Sequence, residues 1–178
     1  DNFFLFAHTY QVHGPHEPPE GFDIFEDDWV GTATHDLPKL RRERNKYAGE
    51  IRYADREIGR LLDGLEERGL AESTIVMITS DHGEAFGEHG TISHGQTAFA
   101  EVIEVPLLIR APGLMRPGQR RPETVSLVDL SPTVLDLVGR PVPRVVQGAS
   151  LRSLLEGDAD PSLAARAVFA EVLGGKSD

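Results

Sequence analysis

The sequence predicts an α/β protein: a mostly parallel central sheet with helices on both faces, in one domain over residues 1–178. Three observations carry this. Thr74 to Thr79 are all β-branched or apolar, the pattern of a strand buried on both faces. The stretch before it, from about Pro38 to Arg68, carries apolar residues at three- and four-residue spacing, the signature of an amphipathic helix. Further short apolar runs bounded by glycine and proline recur on either side. A helix feeding a buried strand is the crossover that such sheets need.

The chain in order gives the remaining elements. Phe3-Phe4-Leu5-Phe6-Ala7 reads as a second buried strand, ending in a loop from His8 to Pro19 that carries His8, His13 and His16. From Glu17 to Asp28 there are acids and no base, which reads as a solvated surface loop. Asp36 is placed to cap the long helix, with Pro38 early in it. Tyr47, Ile51, Ala54, Ile58, Leu61, Leu62 and Leu65 form the stripe that should pack on the sheet. Lys39, Arg41, Arg42, Arg44 and Lys46 form a solvated face, and Gly69 ends the helix. After the central strand comes a glycine-rich loop over Glu84–Gly95, then a short helix at Thr97–Glu101 and a third strand at Val105–Arg110. Val125–Leu127 reads as a short strand. Ser131 as N-cap, Pro132 in the first turn and Gly139 after the end predict a helix. A short helix is expected within Gly148–Leu155, and a final strand over Ala167–Val172.

Composition sets outer bounds. A chain of 178 residues, 39% hydrophobic and 26% charged, can bury a core as a globular domain. The net charge of -11 argues against a nucleic-acid or anionic-membrane partner. The absence of cysteine excludes disulfides, thiolate metal sites and a cysteine-derived nucleophile within these residues. No apolar run reaches the roughly 18 residues of a membrane span, and no signal peptide pattern is present. The chain opens at Asp1-Asn2-Phe3-Phe4, inside a strand-like run, so it is expected to belong to a longer polypeptide.

The chemistry concentrates at Asp81-His82-Gly83. An acid and an imidazole at the carboxyl end of a buried strand stand where open α/β sheets bind ligands. They also supply two metal donors that tolerate calcium, magnesium or manganese, and Gly83 lets the backbone turn. The plainer alternative is a polar strand end followed by a loop. His13 and His94 arrive on loops after different strands, which suits hydrogen bonds to a transferred group or a leaving oxygen; a loop histidine bonded to backbone is the alternative for His13. His8, His16 and His89 read as supporting residues, Glu84 as a loop acid, and Asp55 and Asp129 as structural.

These blocks, taken together, resemble the sulfatase family of the alkaline phosphatase superfamily. The resemblance runs from Phe4-Leu5-Phe6-Ala7-His8 through Pro18-Pro19, then Tyr47 through Gly69. Thr74 through Gly90 follows, with Ser80-Asp81-His82-Gly83-Glu84 the most specific part. His94-Gly95 to Leu107, Asp129-Leu130-Ser131-Pro132-Thr133 and Gly148-Ala149-Ser150-Leu151 complete it. The resemblance implies an alkaline phosphatase-like α/β/α sandwich, present in part, and metal-dependent hydrolysis of a sulfate ester of a small molecule or carbohydrate. It implies one divalent cation, commonly calcium, and a formylglycine made from Cys or Ser in a Cys/Ser-x-Pro/Ala-x-Arg motif. By position, Asp81 and His82 fall on two metal ligands and His13 on the histidine contacting the transferred group. His94 falls where many members carry Lys and others His. The sequence departs from the family pattern in having no Cys, no Ser read in the nucleophile motif, no paired N-terminal aspartates, and Gln11 and His16 where Asp and Tyr are common. The formylglycine is therefore expected upstream, outside this chain, and residues 1–178 are expected to be the C-terminal portion of a longer catalytic domain. Two alternatives accompany this reading: a phosphonate or phosphate ester hydrolase on the same scaffold, and a non-catalytic sulfatase-like binding domain. The family favours a periplasmic or secreted setting, with a cytoplasmic one the alternative. Two geometric expectations follow: Asp81 and His82 share one site, and His13 and His94 converge on it.

Overall fold

Asp36 begins the longest element. In the computed structural model, which describes residues 2–26, 36–158 and 160–172, helix α1 spans Leu37–Glu67. The Asp36 carboxylate accepts the Lys39 N–H at 3.3 Å, and Pro38 lies in the first turn, where its missing N–H goes unneeded. At the other end Gly69 adopts φ +65°, open to glycine without strain. The N–H groups of Gly69 and Leu70 then close on the carbonyls of Glu66 and Leu65. Leu40 is buried, and the Tyr47 ring packs 5.3 Å from Phe86. Ile51 and Leu61, expected in the packed stripe, remain 45% and 50% exposed. Gly49 serves a close approach: a Cβ there would sit 2.7 Å from the Phe22 carbonyl oxygen. The loop carrying His13 and His16 is thereby clamped against the helix.

A short 3-10 turn at Ala71–Ser73 leads into strand β1, Val76–Thr79. It is followed by β2 (Ala85–Phe86), β3 (Ile92–Ser93), the one-turn helix α2 (Ala100–Ile103) and β4 (Leu107–Arg110). β1 pairs with β4 in antiparallel register, Val76 opposite Arg110 and Thr79 opposite Leu107. β2 and β3 form a separate hairpin, Ala85 opposite Ser93 and Phe86 opposite Ile92.

The α/β character holds, but the mostly parallel sheet is not what the described residues form, since both strand pairs are antiparallel. The residues between β1 and β4 fold as a hairpin and a single helical turn. They bring the chain back beside β1 instead of carrying it across a sheet face, as a parallel pair requires. Phe3–Ala7 forms no strand, and Phe4 and Phe6 are 78% and 79% exposed. Without a partner ladder for its N–H and C=O groups, an apolar run is not a strand. Ala167–Val172 is likewise not a strand, and Phe169 is 88% exposed.

The C-terminal half is organised by Asp129. Val125–Leu127 is not a strand; a 3-10 turn occupies Leu127–Asp129 and runs into helix α3, Leu130–Leu137. Ser126 and Asp129 cap that turn reciprocally, so Ser131, expected as the N-cap, lies inside the helix. Helices α4 (Arg152–Glu156) and α5 (Pro161–Ala164) follow. Asp129 is fully buried. Its carboxylate accepts the N–H groups of Ser126 and Ala149, at 2.8 and 2.9 Å, and both ends of the Arg166 guanidinium. Burial alone would raise the Asp129 pKa, but Arg166 and the two backbone donors outweigh it and hold the carboxyl below its ordinary value. Leu151, Leu154 and Leu163 pack beside this network as an apolar cluster. Among the described residues no helix is long and apolar enough to cross a membrane. Asp27 and Asp28 of the acidic stretch lie outside the described residues.

Candidate active site

The strand end of β1 is held by its own polar side chains. The Thr79 hydroxyl donates to the Pro106 carbonyl at 2.8 Å, fixing the last residue of β1 to the approach of β4. The Ser80 hydroxyl donates to the His82 carbonyl at 2.6 Å, and Asp81 Oδ1 accepts the His82 N–H at 3.1 Å. Together they form a compact turn. Gly83 belongs to it for reasons of space. Its N–H donates to the Val102 carbonyl at 2.7 Å, and an added Cβ would lie 2.2 Å from the Glu101 carbonyl oxygen. Conformational freedom, the reason expected from sequence, is not the reason here, because Gly83 is not among the residues with positive φ.

Three imidazoles meet beyond this turn. His82 and His94 stack with ring centroids 3.9 Å apart, and His13 stands edge-on to them at 6.5 and 5.2 Å. Asp81 joins them, its Oδ1 3.9 Å from His82 Nε2. The expected convergence of His13 with His94, and of Asp81 with His82, is therefore present, although residues 3–7 form no strand to bring it about. The hydrogen bonds settle the ring tautomers. His13 Nδ1 lies 2.8 Å from the Gly14 carbonyl and His82 Nδ1 2.8 Å from the Gly83 carbonyl. A carbonyl only accepts, so each Nδ1 carries its proton and donates. His94 Nδ1 lies 3.1 Å from Glu84 Oε2, an acceptor of the same kind. Each ring thus uses Nδ1 locally and keeps Nε2 for a ligand.

Glu84 was read as a loop acid, and the structure gives it a larger place. Its side chain is only 8% exposed, and its second oxygen, Oε1, is buried without a hydrogen-bond partner. The hairpin register explains the contact with His94. Ala85 faces Ser93, so the next positions outward are Glu84 and His94. A cleft of about 510 Å³ opens here, lined in part by His13, His16, Lys39, Glu84, Phe86 and His94.

His16, which lines the cleft, forms a second buried pair with Glu50. His16 Nδ1 lies 2.7 Å from Glu50 Oε2, and Glu50 Oε1 accepts the Glu17 N–H at 2.7 Å. A buried charge needs such partners. Glu50 had a sequence signal: it stands three residues after Tyr47 and beside Ile51, an acid on an apolar helix stripe. Burial raises the Tyr47 pKa above its ordinary value, and the Glu84 and Glu50 carboxylates raise it further. His8 stays outside the cluster, packed against Tyr10 at 4.8 Å. His89 bonds Glu101 at 2.9 Å and stacks on Phe99, tying the hairpin tip to α2.

For a cation, the available donors are an exposed Asp81 carboxylate and a His82 Nε2 freed by the bond at Nδ1. They fit as two donors of a larger shell. Among the described residues no group of three or more His, Cys, Asp or Glu is arranged to hold a metal ion, and a hard divalent ion takes six or more oxygen-type ligands. One sequence statement is corrected. Ser162-Leu163-Ala164-Ala165-Arg166 does spell Ser-x-Ala-x-Arg. It is a structural segment: Ser162 bonds Asp160 at the start of α5, and Arg166 is bound to buried Asp129. Neither residue lines the cleft.

Comparison with known proteins follows the same residues. The family model described as Sulfatase matches residues 1–140. An arylsulfatase of Clostridium perfringens is 30% identical over 86% of this chain and 37% of its own length. An N-acetylglucosamine-6-O-sulfatase of Bacteroides thetaiotaomicron is 37% identical over 67% of this chain and 21% of its own length. Among solved structures, the phosphonate monoester hydrolase SpPMH from Silicibacter pomeroyi superposes with a TM-score of 0.67 at 33% identity, over 80% of this chain and 26% of that one. The chain thus spans 37% or less of the length of these relatives.

Proposed function

The chain belongs to the sulfatase family of the alkaline phosphatase superfamily, and from that premise we propose that it supplies one side of the active site of a sulfuric ester hydrolase. The observation that carries the proposal is the meeting of His13, His82 and His94, distant in sequence, with every Nδ1 occupied and every Nε2 left for a ligand. Breaking a sulfate ester needs donors on the non-bridging oxygens and a proton for the leaving oxygen. Because Nδ1 of each ring keeps its own proton, Nε2 donates only from the doubly protonated imidazolium: in that form His13 offers Nε2–H to a non-bridging oxygen, and His94 hands its Nε2 proton to the oxygen of the departing alcohol and is left as the neutral Nδ1–H ring. Asp81 and His82 would hold a divalent cation together with ligands from elsewhere, calcium by family habit. Such an ion, when bound, supplies charge compensation on the transferred group. Among the described residues none fits the formylglycine, so no step is assigned to it. The substrate class is a sulfate ester of a small molecule or carbohydrate, supported by the two sulfatase relatives above.

The test uses the whole protein and an aryl sulfate. His13→Ala should lower kcat/KM by about 100-fold or more, the usual scale for a lost acid–base or donor group. Residues 1–178 alone should show no turnover. Full activity of His13→Ala would end the assignment. A second reading, phosphonate monoester hydrolysis, is favoured by the likeness to SpPMH. Assay of a phosphonate monoester beside the aryl sulfate separates the two by their kcat/KM ratio.

A further inference from the structure

We propose that Glu84 is a positioning residue that fixes the ring of His94, so that Nε2 faces the cleft. The inference rests on the reading of His94 as a proton donor to the leaving oxygen. It goes beyond that reading by assigning a task to a carboxylate that none of the predicted site residues includes.

Three features single out Glu84. Its carboxylate is nine-tenths buried in the cleft wall, where an acid is costly unless it has work for its oxygens. Oε2 accepts the hydrogen bond from His94 Nδ1–H, while Oε1 has no partner, so His94 is the one side chain hydrogen-bonded to it among the described residues. The contact is built into the hairpin: Ala85 opposite Ser93 and Phe86 opposite Ile92 place Glu84 and His94 at the next rung. Within β2, Phe86 is buried at 5% exposure and Ala85 at 1%, which anchors the rung. On the facing strand Ser93 holds φ +72°, a left-handed conformation unfavourable for a non-glycine residue. The backbone therefore turns sharply beside His94, and the carboxylate decides which way the ring then faces.

An imidazole needs this help in a way an ammonium does not. The ring has two nitrogens, and a proton donor must present the right one. A carboxylate or carbonyl on Nδ1 sets tautomer and orientation together. A lysine at the same place has three equivalent protons and no tautomer to choose. Glu84 is accordingly needed because residue 94 is histidine.

The experiment has two arms. In the first, nitrogen NMR of the labelled protein reads the tautomer of each assigned imidazole. In its neutral form, the one left after the Nε2 proton is given up, His94 should carry its proton on Nδ1 in the wild type and lose that preference in Glu84→Ala, while Glu84→Gln, whose amide oxygen still accepts, retains it. His13 and His82 should not change, since their Nδ1 groups bond backbone carbonyls. An unchanged His94 tautomer in Glu84→Ala overturns the proposal. In the second arm, Glu84→Ala in the whole protein should lower kcat about 10- to 100-fold with KM unchanged, and Glu84→Gln should recover most of the loss. The same substitution in a His94→Lys background separates positioning from folding. A loss confined to the histidine background supports the proposal; an equal loss in both backgrounds shows that Glu84 only maintains the hairpin and overturns it. If the protein hydrolyses neither ester but the tautomer shifts as stated, Glu84 still positions His94 and it is the functional reading that fails.

Discussion

Replacing Gly83 with alanine should damage the site through space alone. A Cβ at this position would lie 2.2 Å from the Glu101 carbonyl oxygen and 3.1 Å from its carbon. Both are backbone atoms at the end of which α2 is fixed by the Val102 and Ile103 N–H bonds to Phe99, so no side chain can rotate aside. Relief requires α2 to move away from the strand end, which stretches the 2.7 Å bond from Gly83 N–H to the Val102 carbonyl. Overpacking of this kind costs about 1–3 kcal/mol, and the weakened hydrogen bond adds about 0.5–1.5 kcal/mol. A loss of about 3 kcal/mol, with a urea m-value near 2 kcal/mol/M, lowers the unfolding midpoint by about 1.5 M. The same movement shifts the Gly83 carbonyl, the acceptor that sets the His82 ring. Equilibrium urea unfolding, read beside the His82 ring resonances, checks both consequences. A midpoint within about 0.2 M of wild type, at unchanged m-value, would refute the close-approach account.

The Asp129 network should show itself in acid. Its carboxyl lies below its ordinary value of 3.8, so its stabilisation is full above that value and is lost as the pH falls through the folded one. Asp129→Asn should cost about 3–5 kcal/mol at neutral pH, the scale for one partner removed from a buried pair. It should also flatten the fall of stability below pH 4, measured by thermal unfolding across the pH range. Tyr47 titrates above its ordinary 10.0 because burial, then the Glu84 and Glu50 charges, disfavour the phenolate. Its contribution is full below 10.0 and lost as the pH rises through the folded value. Ultraviolet titration should therefore place Tyr47 above the ordinary tyrosine value of 10.0, and Glu50→Gln should bring it down. A Tyr47 midpoint unaffected by that substitution would count against the Glu50 contribution.

Much of the site was legible from residue order. Asp81-His82 at the end of an apolar run and His94 after a glycine-rich stretch are local features that sit where their patterns placed them, whereas the loop bearing His13 forms without the strand expected before it. Helix α1 was equally legible, because a cap, a spaced stripe and a terminal glycine are all written within one turn of where they act. The parallel sheet was not, since strand direction depends on which partner the rest of the fold supplies; Phe3–Ala7 has the composition of a strand but no ladder here. Ser131 yielded the cap to Ser126 because Asp129, read from the sequence only as structural, reaches back to close a box. The partners of Glu84 and Glu50 were hidden for a related reason, although the place of Glu50 on an apolar stripe hinted at its burial. An acid is read as solvated until a partner is found, and their partners, His94 and His16, lie ten and thirty-four residues away. Sequence by itself determined which chemical groups are present and the strand ends and loops that carry them. Tertiary structure decided which imidazole nitrogen faces a ligand, because that follows from the acceptor each ring meets after the hairpin and the clamped loop close together.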